Sequence, residues 1–108
     1  MWRDDDKLID IYRELKDIKT FPVRCPICEK KRIHLYMDVH NLKTRRGGLW
    51  IWCSKCYSFL HSTIYVPQYW KNCPDVDAMK LCAIPDYLND IREVVDMHIN
   101  TLINTGIT

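Results

Sequence analysis

Cys25-Pro26-Ile27-Cys28 is answered by Cys53-Ser54-Lys55-Cys56, two Cys-x-x-Cys pairs with 24 residues between them. Each pair folds into a tight knuckle that presents two thiolates on one side. Together they supply four sulfur ligands, the tetrahedral set that zinc takes in closed sites. Iron also accepts four thiolates. Zinc is preferred because nothing else in the chain suggests electron transfer. Four protein ligands leave no open position for water, so the metal reads as structural rather than catalytic.

The segment between the knuckles has room for two strands and a turn. Ile33, Leu35, Met37 and Val39 alternate with His34, Tyr36 and Asp38, the period-2 pattern of a strand. A polar, basic connection follows, carrying Lys43, Arg45 and Arg46, and Gly47-Gly48 suits the reversal. Leu49 to Trp52 reads as the return strand and Ser58 to Val66 as a third. The four cysteines and the hairpin between them resemble the zinc ribbon (zinc β-ribbon), over roughly residues 22–66. Many ribbon knuckles carry a glycine shortly after the second cysteine, where φ is positive; this chain has Glu29-Lys30 there. The resemblance implies a fold and a metal; it implies much less about function.

Helices are expected on either side of the ribbon. Leu8, Ile11, Tyr12, Leu15 and Ile18 recur at helical spacing, so residues 4–19 read as an amphipathic helix with aspartates at its start. Residues 67–84 read as a structured loop with a helical turn near 75–81. Pro85-Asp86 then opens a helix over 86–103, with Leu88, Ile91, Val95, His98 and Leu102 on one stripe. The expected architecture is α+β: one domain over residues 1–108, an antiparallel sheet of about three strands flanked by an N-terminal and a C-terminal amphipathic helix.

Composition narrows the class. A 108-residue chain suits one small domain, for which a structural metal is a useful staple. No signal-peptide pattern or membrane-length apolar run is visible, so a cytoplasmic protein with reduced thiols is expected. Residues 21–56 carry eight basic against two acidic side chains, a net of +6, and both flanks are net acidic. That imbalance suits either a binding footprint or flanks that neutralise the ribbon within the fold. Cys73 and Cys82 lie outside the knuckles and read as small core hydrophobes. His34, His40, His61 and His98 are not accompanied by a carboxylate or nucleophile pattern, so no enzyme activity is expected.

A candidate binding surface remains: Lys43, Arg45 and Arg46 at the hairpin tip, with Tyr36, Trp50 and Trp52 on one sheet face. Exposed, the aromatics would stack bases or anchor a protein; under a helix, they would be core. The sequence therefore reads as a non-enzymatic zinc-ribbon interaction module that binds a protein partner. In size, uneven charge and lack of an active-site pattern it resembles small bacterial immunity proteins, which neutralise a toxin by binding it. A nucleic-acid-binding ribbon using the basic segment is the alternative, and the C-terminal helical stripe allows a homodimer.

Overall fold

The structure is a computed structural model that describes residues 1–106. Its centre is a five-stranded mixed sheet in the order β1-β5-β4-β3-β2, from Arg3–Asp4 (β1), Val23–Arg24 (β2), Lys31–Val39 (β3), Arg46–Cys53 (β4) and Ser58–Tyr65 (β5). The expected three-strand meander is present as β3, β4 and β5, joined antiparallel. Two short strands extend it beyond the expectation. The antiparallel β2 leads into the first knuckle, and the parallel β1 pairs Arg3 and Asp4 with Ser58 and Phe59.

The expected 4–19 helix is a correction. Asp4 is spent in β1, and Asp5, in an extended conformation, accepts a hydrogen bond from the Lys7 N–H. A 3-10 turn (Asp6–Leu8) follows, then a five-residue helix, α1 (Ile9–Arg13), and a second 3-10 turn (Leu15–Asp17). Glu14, at φ −96° and ψ 7°, breaks the helical path. The apolar stripe survives the break: Leu8, Ile11 and Leu15 are all buried in the core. Hydrophobic spacing specified which side chains point inward, and the strand pairing of β1 displaced the first turn of the helix.

The hairpin is also corrected. Gly47 and Gly48 do not make the turn; they lie inside β4, opposite Val39 and Asp38. The reversal falls at residues 41–45. Asn41 Oδ1 accepts from the backbone N–H of Lys43 and Thr44, and Arg45 takes the left-handed φ of 66°. The glycines answer a different need. A Cβ on Gly47 would stand 1.9 Å from the Asp38 carbonyl oxygen, and one on Gly48 would stand 2.8 Å from the Trp50 ring.

The C-terminal helix is divided. α2 (Asp86–Asp90) and α3 (Arg92–Gly106) meet at Ile91, whose φ of −111° and ψ of 26° leave the helical region. Leu88 and Val95 of the expected stripe are buried, whereas Ile91, His98 and Leu102 are half-buried; Ile99, outside that stripe, is buried in their place. The 67–84 segment carries one 3-10 turn (Ala78–Lys80) capped by Asp77. Register places His34, Tyr36, Trp50, Trp52, Phe59 and His61 on one sheet face. The C-terminal segment lies over that face, and its polar atoms meet the aromatic ones. Trp50 donates to the Cys82 carbonyl (2.8 Å), Trp52 to Asn89 (3.2 Å), and Tyr36 accepts from the Cys73 N–H (3.1 Å).

Gly47→Ala is expected to cost ~3 kcal/mol or more, because the added methyl meets backbone that cannot swing aside. Gly48→Ala should cost less, since the Trp50 ring can tilt. Urea unfolding followed by tryptophan fluorescence tests both the size and the order of the two effects.

Candidate metal centre

The two knuckles sit at neighbouring ends of the meander. The first links β2 to β3, and the second links β4 to β5. Ile33 pairs with Cys53, and the Ser54 N–H donates to the Arg32 carbonyl at 2.9 Å. The β3–β4 ladder therefore carries one knuckle to the other. Within each, the first sulfur accepts backbone N–H groups: Ile27 and Cys28 donate to Cys25, and Lys55 and Cys56 donate to Cys53, at 3.4–3.5 Å. The left-handed position that glycine often fills is taken by Glu29 (φ 66°) and, equivalently, by Tyr57 (φ 61°). The absent glycine did not change the knuckle's path.

All four sulfurs of Cys25, Cys28, Cys53 and Cys56 lie within 4.8 Å of one another. The Cys25–Cys56 and Cys28–Cys53 separations are 3.8 and 3.6 Å. A tetrahedron with metal–sulfur bonds of ~2.3 Å has edges of about 3.8 Å, so the spacing fits a four-thiolate metal site. Cys25 and Cys53 are buried, whereas Cys28 and Cys56 are partly exposed.

The thiols differ in how readily they ionise. Burial, followed by the neighbouring Cys28 and Cys56, pushes Cys53 up to about 12 despite two backbone N–H donors. Burial also raises Cys25. At Cys56 burial opposes ionisation, but hydrogen bonding with the Ser58 hydroxyl and backbone and with the neighbouring thiols outweighs it and brings the thiol down to about 7. Four thiolates this close repel one another strongly, and a divalent cation removes that penalty.

A second polar constellation stands beside the second knuckle. His34 Nδ1 lies 2.8 and 3.0 Å from the two carboxylate oxygens of Asp96 on α3, and its Nε2 lies 3.0 Å from the Ser54 hydroxyl. The carboxylate accepts from the Nδ1–H, and Nε2 shares a hydrogen bond with the Ser54 hydroxyl. Arg32 Nε donates to the same hydroxyl at 3.0 Å. The connectivity is that of an Asp–His–Ser triad, with Ser54 buried and its hydroxyl also bonded to Arg32. The contact joins the second knuckle to α3. Sequence reasoning missed it because Ser54 and Asp96 lie 20 and 62 residues from His34.

The candidate binding surface divides on the structure. Tyr36, Trp50 and Trp52 are 0, 3 and 0% exposed, so these three side chains are core beneath the C-terminal segment. Arg45 is tied to the carbonyls of Pro67 (2.6 Å) and Trp70 (2.8 Å). Of that set Lys43 and Arg46 are exposed, Arg46 lying over the Tyr65 ring. Cys73 is buried as expected. Cys82 is exposed, a correction: its carbonyl serves Trp50 while its thiol donates to the Ile84 carbonyl at the surface. His98 is partly exposed, its ring edge-on to Trp70 and its Nε2 on the Lys71 carbonyl.

Comparison with known protein families, curated proteins and solved structures finds no match. The geometry by itself defines an α+β chain with a four-cysteine cluster able to hold a metal ion, compatible with a zinc-ribbon-like motif. No helix among the described residues is long and apolar enough to cross a membrane.

Cys25→Ser and Cys53→Ser are each expected to lose bound metal and the cooperative thermal transition. In zinc-finger peptides the metal contributes ~10–16 kcal/mol of apparent binding free energy to folding. Chelation should have the same effect, and so should acidification, because protons compete for the thiolates. Elemental analysis alongside circular dichroism reads both. Asp96→Ala should cost ~1–3 kcal/mol by leaving the His34 ring N–H without its acceptor, with metal content retained; a matching loss of metal would show that this contact shapes the cluster itself.

Proposed function

We propose that this chain is a non-enzymatic zinc-ribbon interaction module, with zinc as its structural metal and a protein as its binding partner. The observation that carries this reading is the closed four-sulfur cluster. Every ligand position is filled by the protein, so the metal has no place for a substrate or an activated water. Its contribution is to hold the loops at one end of a small sheet in a fixed geometry. The His34–Ser54–Asp96 contact supports the same reading, since its groups are occupied in bracing the second knuckle against α3. Toxin neutralisation is the form of protein binding that best suits the size and uneven charge of the chain.

Nucleic-acid binding is the weaker reading. A single-strand binder needs aromatic faces open to bases, and Tyr36, Trp50 and Trp52 are buried. Arg45 is held by backbone carbonyls, which leaves Lys43 and Arg46 as the exposed cations of the proposed patch.

Affinity capture with zinc-loaded protein, with and without nuclease, tests the reading. One stoichiometric protein that survives nuclease and high salt is expected, and it should re-form the complex from purified components. Nucleic acid released steeply by salt, with affinity lost in a Lys43→Ala/Arg46→Ala double variant, would replace this reading with the nucleic-acid one.

A further inference from the structure

The two edges of the sheet are finished in different ways. On the β2–β3 side, Val39 has both its N–H and its C=O bound by the side chain of Asn72, at 2.8 and 3.2 Å. Residues Ile33 to Val39 of that strand are buried throughout. On the other side, β1 covers only Ser58 and Phe59 of β5. Beyond them, the outer edge from Leu60 to Tyr65 has no strand partner among the described residues.

The direction of the bare backbone groups can be read from the hydrogen bonds at either end. Arg3 N–H donates to the Tyr57 carbonyl and Asp5 N–H to the Phe59 carbonyl, so the odd-numbered residues of β5 face outward. Val66 N–H donates inward, to the Arg45 carbonyl on the β4 side, which agrees with that parity. His61, Thr63 and Tyr65 therefore direct their N–H and C=O groups to the open edge, because both groups of a strand residue point the same way.

β5 also lacks the features that protect natural edges. Its sequence, Ser58-Phe59-Leu60-His61-Ser62-Thr63-Ile64-Tyr65, has no Lys, Arg, Asp, Glu or Pro. Charges, prolines and bulges normally keep such an edge from pairing. Thr, Ile and Tyr are strand formers, and Tyr65 is 66% exposed.

We propose that a second copy of this chain pairs with β5 antiparallel, about a two-fold axis at Thr63, to join the two sheets into one. The strand is complementary to itself in this register. Thr63 faces Thr63 of the second copy, and His61 faces Tyr65 of the second copy. Threonine–threonine and aromatic pairs are favourable across antiparallel strands. Every outward N–H and C=O of His61, Thr63 and Tyr65 then finds a partner in the other copy. Charge complementarity selects a second copy over an arbitrary peptide. Asp4 and Asp6 line a groove beside Leu60, His61 and Ser62. Exposed Arg46 lies over Tyr65 at the other end of the same strand. A two-fold axis brings the basic end of each copy to the acidic end of the other, as a closed isologous interface requires. A pairing this short forms a small interface, so association of roughly micromolar strength or weaker is expected.

Sedimentation of zinc-loaded, full-length protein from about 1 to about 300 µM reaches into that regime. The expected result is an apparent mass that rises towards twice the monomer. Thr63→Pro removes only an outward N–H, and Thr63→Lys places two like charges at the axis. Both should sediment as monomers at every concentration, with melting temperature and metal content unchanged. Met97→Glu, on exposed helix surface, should still dimerise. A wild-type monomer throughout, or a dimer that survives both Thr63 variants, would overturn the proposal. Dimerisation lost in Met97→Glu but kept in Thr63→Lys would overturn it in favour of α3. An added protein that binds the monomer through this edge, with no self-association, would overturn it in favour of a heterologous strand.

Discussion

Four sulfurs held within a few ångströms of one another form the constraint on which this fold depends. Two come from the loop entering β3 and two from the loop leaving β4, so the cluster can assemble only if β3 and β4 pair in one register. A one-residue slip would turn every side chain of one strand to the wrong face and would carry the knuckles out of reach. The sheet and the cluster therefore specify each other. The β3–β4 ladder sets Cys53 opposite Ile33, and the sulfurs tie the ladder's end to β2 and β5. In a chain this small, apolar burial alone gives little margin, and a metal held by the four sulfurs would add stability where chain reversals would otherwise fray.

The two sheet faces are closed by different means. Leu8, Ile11 and Leu15 supply apolar contact from a short, interrupted helical segment. The C-terminal segment supplies packing together with polar latches. Cys82, Asn89 and Cys73 meet the polar atoms of Trp50, Trp52 and Tyr36, and Asn100 holds both backbone groups of Phe21. A buried indole or phenol without a partner would be costly. These contacts allow large aromatic side chains to fill the face, and they give the overlying segment one position on it.

The departures from expectation share a cause: competition between local preference and a distant partner. Residues 4–19 have a helical stripe, yet Arg3 and Asp4 gain strand hydrogen bonds with Ser58 and Phe59, and the helix starts late. Gly47-Gly48 has turn composition, yet Asn41 caps the reversal first, and the glycines let β4 approach the Asp38 carbonyl. Glu29 and Tyr57 accept left-handed backbone because the sulfur cluster fixes the path around them.

The cysteine spacing was sufficient, from sequence alone, to group Cys25, Cys28, Cys53 and Cys56, because a knuckle is local chemistry and its four-residue geometry travels with the motif. Alternation likewise located the three long strands and indicated which residues share a face, although the first residues of β4, Arg46 to Gly48, read as turn. What covers each face lay beyond it. Period-2 patterning shows that Tyr36, Trp50 and Trp52 point the same way, but it is silent on whether water or a helix meets them. Tertiary structure alone decided that they are buried, that Arg45 is a fastener, that His34 reaches Ser54 and Asp96, and that one edge of the sheet is open. Each of those outcomes depends on residues tens of positions apart, whose proximity is set by the packing of the whole chain rather than by any local pattern.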